Sequence, residues 1–389
     1  MKKNNLCSEV AYMSLNHEGE QLCGDHVEVV ENENNTIVVL ADGLGSGVKA
    51  NILSTLNSTI ISTMLAADLD IRDAVETIAD TLPVCSERKT AFSTFTIIKL
   101  DDSTHADIIQ YENPNVILLR KEQLYEFPLS EITIGEKTIY RSSVELCDGD
   151  VFIAMSDGVP YASDNGVLNS SWDRQAIADF MAPLSDSGLT ANVLSNILME
   201  EVNKLYGGKP FDDATVCVVK IRQRQTVNIA VGPPESIDDN HRMMALFFAK
   251  EGKHITCGGT TSKIAAEYLH TAVHTDFSTP DPDIPPISHI DGVDLATEGI
   301  ITVDRILAYS KEYVEDNRSF EKWYYKKDGA SIAARILFEE ATDINMFIGH
   351  AANPAHADLP INFNVKMQIL KQLSKNLRKM GKRVKIYDF

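Results

Sequence analysis

Thr36-Ile37-Val38-Val39-Leu40-Ala41-Asp42-Gly43-Leu44-Gly45-Ser46-Gly47 sets an uncharged run against an aspartate and three spaced glycines. An apolar run of this length, closed by turn-forming residues, reads as a strand buried on both faces. The carboxylate at its end is costly to bury unless it is paired or holds a cation. Behind it the helical period runs from about Val48 to Ala66. Asp70 then reads as the N-cap of a second helix, Ile71 to Leu82, stopped by Pro83.

Outward from this stretch, residues 8–41 read as short strands. From Phe92 to Ala154 the pattern is all strand: FSTFTIIKL, HADIIQY, NVILLR, TIYRSSVEL and DVFIAM, parted by Asp101-Asp102-Ser103, Glu112-Asn113-Pro114-Asn115 and Asp148-Gly149-Asp150. Two helices follow, about Trp172–Met181 and Leu189–Leu205, the second closed by Gly207-Gly208. Ala214–Ile221 is a last strand. Strand, helix pair, strands, helix pair, strand describes an α+β domain with sheets inside and helix pairs outside.

Arg222-Gln223-Arg224-Gln225 marks a boundary, giving domains 1–223 and 224–389. Beyond it, short strands at Val227–Val231, Ile255–Cys257, Ile344–Ile348 and Val384–Tyr387 alternate with helical patterns near 239–250, 261–270, 303–316, 329–340 and 364–379. Such alternation is that of a parallel α/β domain. The proline-rich Phe277–Ile290 reads as a loop or edge.

Aspartates stand at several strand ends. Asp42 follows TIVVLA, Asp157 follows VFIAMS and precedes Gly158, Asp212 and Asp213 precede ATVCVVKI, and Asp25 precedes HVEVVE. If the strands are antiparallel neighbours, two exits and one entry share an edge of the sheet, and Asp42, Asp157 and Asp212 point into one space. Clustered carboxylates repel one another, and hard divalent cations relieve that repulsion. Oxygen-only donors select magnesium or manganese. Lacking a side chain, Gly43 lets its carbonyl approach an ion. Two bridged ions orient and acidify a water for in-line attack on a phosphate. Each Asp-Gly alone is equally a turn; the three motifs in this order argue for the cluster.

The net charge of -20 disfavours nucleic acid and anionic membrane surfaces as partners. No stretch approaches the length of a membrane span, and the N-terminal residues lack the apolar core of a signal peptide. The six cysteines are scattered with no C-x-x-C pair, which fits a reducing cytoplasm rather than a disulfide framework.

Gly24-Asp25, Asp42-Gly43-Leu44-Gly45-Ser46-Gly47, Ser156-Asp157-Gly158-Val159 and Asp212-Asp213-Ala214-Thr215-Val216 resemble the metal-binding motifs of type 2C protein phosphatases. The likeness is greatest to the bacterial branch typified by the stage II sporulation protein E phosphatase domain, and it covers about residues 8–221. It implies a β-sandwich flanked by helix pairs and two manganese or magnesium ions. Asp42 would bridge them, the Gly43 carbonyl would complete one shell, Asp157 and Asp212 would hold the other ion, and Asp25 would stand in the first or second shell. Asp42, Asp157 and Asp212 would thus carry catalysis. Asp213, facing the other way along a strand, would stand in the second shell or be structural. Animal and plant members grip the phosphate with an arginine near the N-terminus; none precedes Asp25 here, which leaves the phosphate to the ions.

The implied function is hydrolysis of phosphoserine or phosphothreonine on a regulatory protein, by a possible homodimer. The competing reading is an idle sensor with a structural metal site and a metabolite-binding C-terminal domain. There, Ile255–Ser262 contains Gly258-Gly259 before a helix start, either an anion site or a turn capped by Thr260 or Thr261. His350, His356 and Asp358 form a second candidate ligand loop, and Asp291–Gly299 a third.

Overall fold

The computed structural model describes residues 5–32, 35–81, 94–101, 104–134, 137–163, 171–276, 285–315, 322–351 and 363–389. They form two compact units, Met1–Gln223 and Arg224–Phe389.

The first unit runs β1 (Leu6–Leu15), β2 (Asp25–Glu31), β3 (Asn35–Asp42), α1 (Gly47–Ala66), α2 (Ile71–Thr81), β4 (Thr94–Asp101), β5 (His105–Tyr111), β6 (Ile117–Arg120), β7 (Gln123–Leu124), β8 (Ser130–Ile134), β9 (Lys137–Glu145), β10 (Val151–Met155), α3 (Arg174–Ser185), α4 (Ala191–Leu205) and β11 (Ala214–Gln223). The strands make two antiparallel sheets, β1-β11-β10-β6-β7 and β2-β3-β4-β5-β9-β8.

Strand alternation explains why the runs carry no polar face. In β3, Val38 and Leu40 pack between the sheets with Phe152 and Val219, while Ile37 and Val39 meet Ile61, Leu65 and Val75 of α1 and α2. In β10, Phe152 and Ala154 face inward, and Val151, Ile153 and Met155 meet α3 and α4 through Met181, Leu194 and Leu198. Both faces of each sheet are therefore dry, in a helix–sheet–sheet–helix stack. This is the expected sandwich flanked by helix pairs.

Local chemistry moves several boundaries. α3 starts at Arg174 rather than Trp172, because the Asp173 carboxylate accepts from Ala176 N at 2.9 Å. Thr190 caps α4 in the same way, accepting from Val193 N at 3.3 Å. Asp70 accepts from Arg72 N at 2.8 Å, beside the start of α2. Pro83 lies outside the described residues. β7 and β8 are too short to announce themselves in the sequence.

The second unit runs β12 (Thr226–Val231), α5 (Asp239–Phe248), β13 (Lys253–Cys257), α6 (Gly259–Tyr268), β14 (His274–Asp276), β15 (Ile287–Ile290), β16 (Val293–Thr297), α7 (Ile300–Glu315), α8 (Gly329–Ala334), a π-helical segment (Arg335–Glu340), β17 (Asp343–Ile348), α9 (Phe363–Lys379) and β18 (Arg383–Asp388). The sheet order is β14-β15-β16-β13-β12-β17-β18. Five adjacent members, β16-β13-β12-β17-β18, pair in parallel, and β14–β15–β16 adds antiparallel pairs at one edge. α7, α8 and α9 cover one face through Val303, Ala333 and Leu373, and α5 and α6 the other through Met243, Phe247 and Ala265. The α/β reading of this region holds. The edge strands β14 to β16 are an addition to it; β15 falls within the stretch Phe277–Ile290 that reads as a loop or edge.

Candidate functional site

The strands bearing the aspartates are not all neighbours, contrary to the sequence expectation of one shared sheet edge. β10 and β11 pair antiparallel, Met155 opposite Val216, so Asp157 and Asp212–Asp213 leave one sheet together. Asp42 ends β3 in the other sheet, opposite Asp25 in the register of β2. The cluster is assembled across the sandwich, where two sheet ends face each other, and periodicity within one strand carries no information about that.

Electrostatics places the four together. Burial, then the charges of Asp25, Asp157 and Asp212, holds Asp42 well above the ordinary carboxylate range. Burial and the Asp213 charge raise Asp25 as well. Asp157 is raised by burial. Asp212 is pushed up to about 6, by burial first and Asp157 next. Burial without a counter-ion disfavours the charged form of each of these carboxylates.

Asp25 is 4 % exposed, and neither of its oxygens makes a hydrogen bond. The hydroxyls of Ser156 and Thr215 lie near enough to ease its charge, and both oxygens are held in place by further bonds. Ser156 Oγ accepts from Thr215 N at 2.8 Å, and Thr215 Oγ1 bonds Ser14 Oγ at 2.8 Å. A buried, orphaned carboxylate facing further carboxylates fits a hard divalent cation. Among the described residues, no three His, Cys, Asp or Glu side chains already stand close enough to enclose an ion. The fit therefore rests on donor chemistry and on the orphaned oxygens of Asp25.

Asp213 stands beside Asp25. At 3 % exposed it is buried, and its charge reaches Asp25. Oδ1 accepts from His17 N at 3.0 Å, and Oδ2 has no partner. Asp212 and Asp213 precede the first residue of β11, so strand alternation does not send them to opposite faces. Tyr206 was not legible as a site residue. It follows α4 and donates its hydroxyl to Gly158 O at 2.6 Å. Burial, then Asp212, Asp157, Asp25 and Asp213, raises its pKa, which places the phenol among the carboxylates. Trp172 Nε1 donates to Val159 O at 3.1 Å. Together these two rings pin the turn that carries Asp157.

The site glycines serve close approach, not a left-handed turn: Gly43 and Gly158 have no positive φ. A Cβ on Gly43 would stand 2.2 Å from Ala50 O, and one on Gly158 2.2 Å from Asp213 O. Both obstacles are backbone and cannot swing away. Gly158→Ala is expected to destabilise the protein by about 1–3 kcal/mol. Urea unfolding checks this, and an unchanged midpoint would refute the packing account. Beside Asp157 a cavity of about 560 Å³ opens, lined by Glu112, Asn115, Tyr161, Trp172 and Arg174 among others.

In the second unit the Gly258-Gly259 turn meets the end of the Asp291–Gly299 stretch, Gly258 N donating to Thr297 O at 2.8 Å. α6 begins at Gly259 with Gly258 at the N-cap (φ 120°) and no side-chain cap, so neither Thr260 nor Thr261 caps it. The Glu298 carboxylate oxygens lie 3.3 and 3.4 Å from where a Cβ on Gly259 would be. That helix end already has negative charge beside it, which argues against an anion there. His350 Nε2 bonds Asp388 Oδ1 at 2.9 Å; His356 and Asp358 lie outside the described residues.

No helix among the described residues is long and apolar enough to cross a membrane. The stage II sporulation protein E family model matches residues 32–222. Stage II sporulation protein E of Bacillus subtilis (strain 168) is 26 % identical over 212 residues, which is 52 % of this chain and 24 % of that protein. The chain thus matches about a quarter of that relative's length. The phosphatase domain of the same Bacillus subtilis protein, solved in a crystal form without domain swapping, is 23 % identical with a TM-score of 0.44, covering 56 % of this chain and 94 % of that one. The catalytic domain of the serine/threonine phosphatase PstP, solved with two manganese ions, is 16 % identical with a TM-score of 0.38, covering 56 % of this chain and 100 % of that one. Through its first unit, this chain is similar to the stage II sporulation protein E family.

Proposed function

We propose that the first unit is a manganese- or magnesium-dependent phosphatase acting on phosphoserine or phosphothreonine of a regulatory protein. The observation that carries this reading is the gathering of Asp25, Asp157 and Asp212 about Asp42, with the Asp25 oxygens buried and unpartnered. When bound, two divalent ions supply an acidified water for in-line attack and positive charge for the phosphoryl oxygens.

The chain's own residues hold and shape that centre. Asp42 faces Asp25 of its own sheet and Asp157 and Asp212 of the other. Asp42, Asp157, Asp212 and the Gly43 carbonyl would hold the ions, with Asp25 beside them. Tyr206, through Gly158 O, fixes the turn that aims Asp157. Asp213 keeps negative charge behind Asp25. The cavity beside Asp157 lies within the ordinary size of a ligand pocket and receives the chain around the phosphorylated side chain. With no arginine ahead of Asp25, no guanidinium from that segment grips the phosphate.

Hydrolysis of p-nitrophenyl phosphate by the full chain tests the reading. Turnover is expected with manganese or magnesium and is expected to vanish with a chelator. Turnover that persists in the chelator would refute it. Manganese binding without turnover would point instead to an idle binding protein.

A further inference from the structure

In the second unit, β12 and β17 lie side by side within the parallel sheet. From β12 the chain leaves to α5, on the face where Phe247 meets Ala230 and Phe347. From β17 it leaves to α9, on the opposite face, where Leu370 and Leu373 pack with Val231 and Ile348. Adjacent parallel strands with connections to opposite faces form a topological switch point, and open α/β sheets take their ligands beyond the carboxyl ends of such strands.

Lys366, in the first turn of α9, brings its ammonium to this place. Nζ donates to Gly349 O, just past β17, at 2.5 Å. It also lies 2.2 Å from where a Cβ on Gly232, just past β12, would stand. Gly232 has φ +80°, so a side chain there would meet both backbone strain and the amine. Among the described residues that one neutral carbonyl is the hydrogen-bond partner of Lys366, and no carboxylate forms an ion pair with it. Asp388, the nearby acid at the end of β18, is engaged with His350. Burial alone pushes the Lys366 amine down to about 8, with no neighbouring charge opposing it.

An ammonium has three N–H donors, and the fold occupies one. A half-buried charge left without a counter-ion is costly, and an oxyanion supplies both the missing charge and the missing acceptors. We propose that the crevice at the carboxyl ends of β12 and β17 binds a small oxyanion, the phosphate or carboxylate group of a metabolite, with Lys366 as its anchor. This site lies in a different unit from the proposed phosphatase centre and does not depend on it. It also differs from the Gly258-Gly259 turn, where Glu298 stands.

Trace acetylation of the full chain with acetic anhydride, read lysine by lysine by mass spectrometry, tests the site. A chelator is present so that no cation holds phosphate in the first unit. Orthophosphate is expected to slow modification of Lys366 by at least about threefold and to leave exposed Lys371 on the same helix unchanged. Acetate is the second probe: protection by orthophosphate alone assigns a phosphoryl ligand, by acetate alone a carboxylate ligand, and by both a general oxyanion site. Equal modification of Lys366 with and without both anions would overturn the proposal, leaving the lysine a plain cap on Gly349 O. Calorimetry with the protecting anion is expected to lose its signal in Lys366→Met.

Discussion

Asp157→Asn is expected to lower metal-dependent hydrolysis of p-nitrophenyl phosphate at least about a hundredfold, since even groups that only orient metal ligands cost 10–100-fold when removed. The substitution keeps the size of the side chain and removes the charge that holds an ion. Asp42→Asn is expected to cost at least as much, because Asp42 faces Asp25, Asp157 and Asp212 at once. Both variants are expected to fold, and without metal they are expected to be slightly more stable than the parent, because one member of a repelling cluster is gone. Steady-state rates with circular dichroism check this. A rate within a few-fold of the parent in either variant would remove that residue from the metal centre.

The cluster also sets how stability depends on pH when no cation is present. Asp25 and Asp42 have folded pKa values raised above their unfolded ones, chiefly by burial. Between those values the native state binds more protons than the unfolded state, so stability falls as pH rises. Below the unfolded carboxylate range the groups cost nothing. The full penalty is present once pH passes the folded values. Asp212, partly exposed, adds less. In chelator, the melting temperature of the first unit is expected to drop by roughly 5–10 °C from pH 5 to pH 8, the effect of a few kcal/mol in a domain of this size. Magnesium or manganese is expected to restore most of that loss at pH 8 and little at pH 5. Calorimetric scans across pH in both conditions would show it. A metal increment that does not grow with pH would mean that the raised carboxylates are not where the cation acts.

The strands around the site were legible because Ile37, Val38, Val39 and Leu40 have no polar alternation, and only a strand covered on both sides tolerates that. Asp42, Asp157 and Asp212 stood out for the same reason, as charges at the ends of dry strands. What the sequence did not disclose is which sheet each strand joins. Val38 and Phe152 meet across the sandwich, a contact between distant segments that no local period encodes. Tyr206 was invisible because a tyrosine after a helix has many ordinary uses, and its partner is a backbone carbonyl. Asp213 lies one residue before β11 begins, where strand alternation does not fix the direction of a side chain.

In the second unit the strongly apolar β12, β13 and β17 could be read directly, whereas β15 and β16 could not. The turn Asp291-Gly292 between them and the short runs on either side look like loop. The segment 329–340 carries a helical period, but its second half, Arg335–Glu340, is wound as a π-helix. Lys366 gave no signal as a lysine in an amphipathic helix; its position against Gly232 and Gly349 follows only from the strand order.

The most direct test of the central claim is a crystal of the full chain soaked in manganese and measured at the metal's absorption edge. The account predicts two anomalous peaks held by Asp42, Asp157, Asp212 and the Gly43 carbonyl, with Asp25 beside them. An empty space among these carboxylates, or manganese bound only elsewhere, would contradict it.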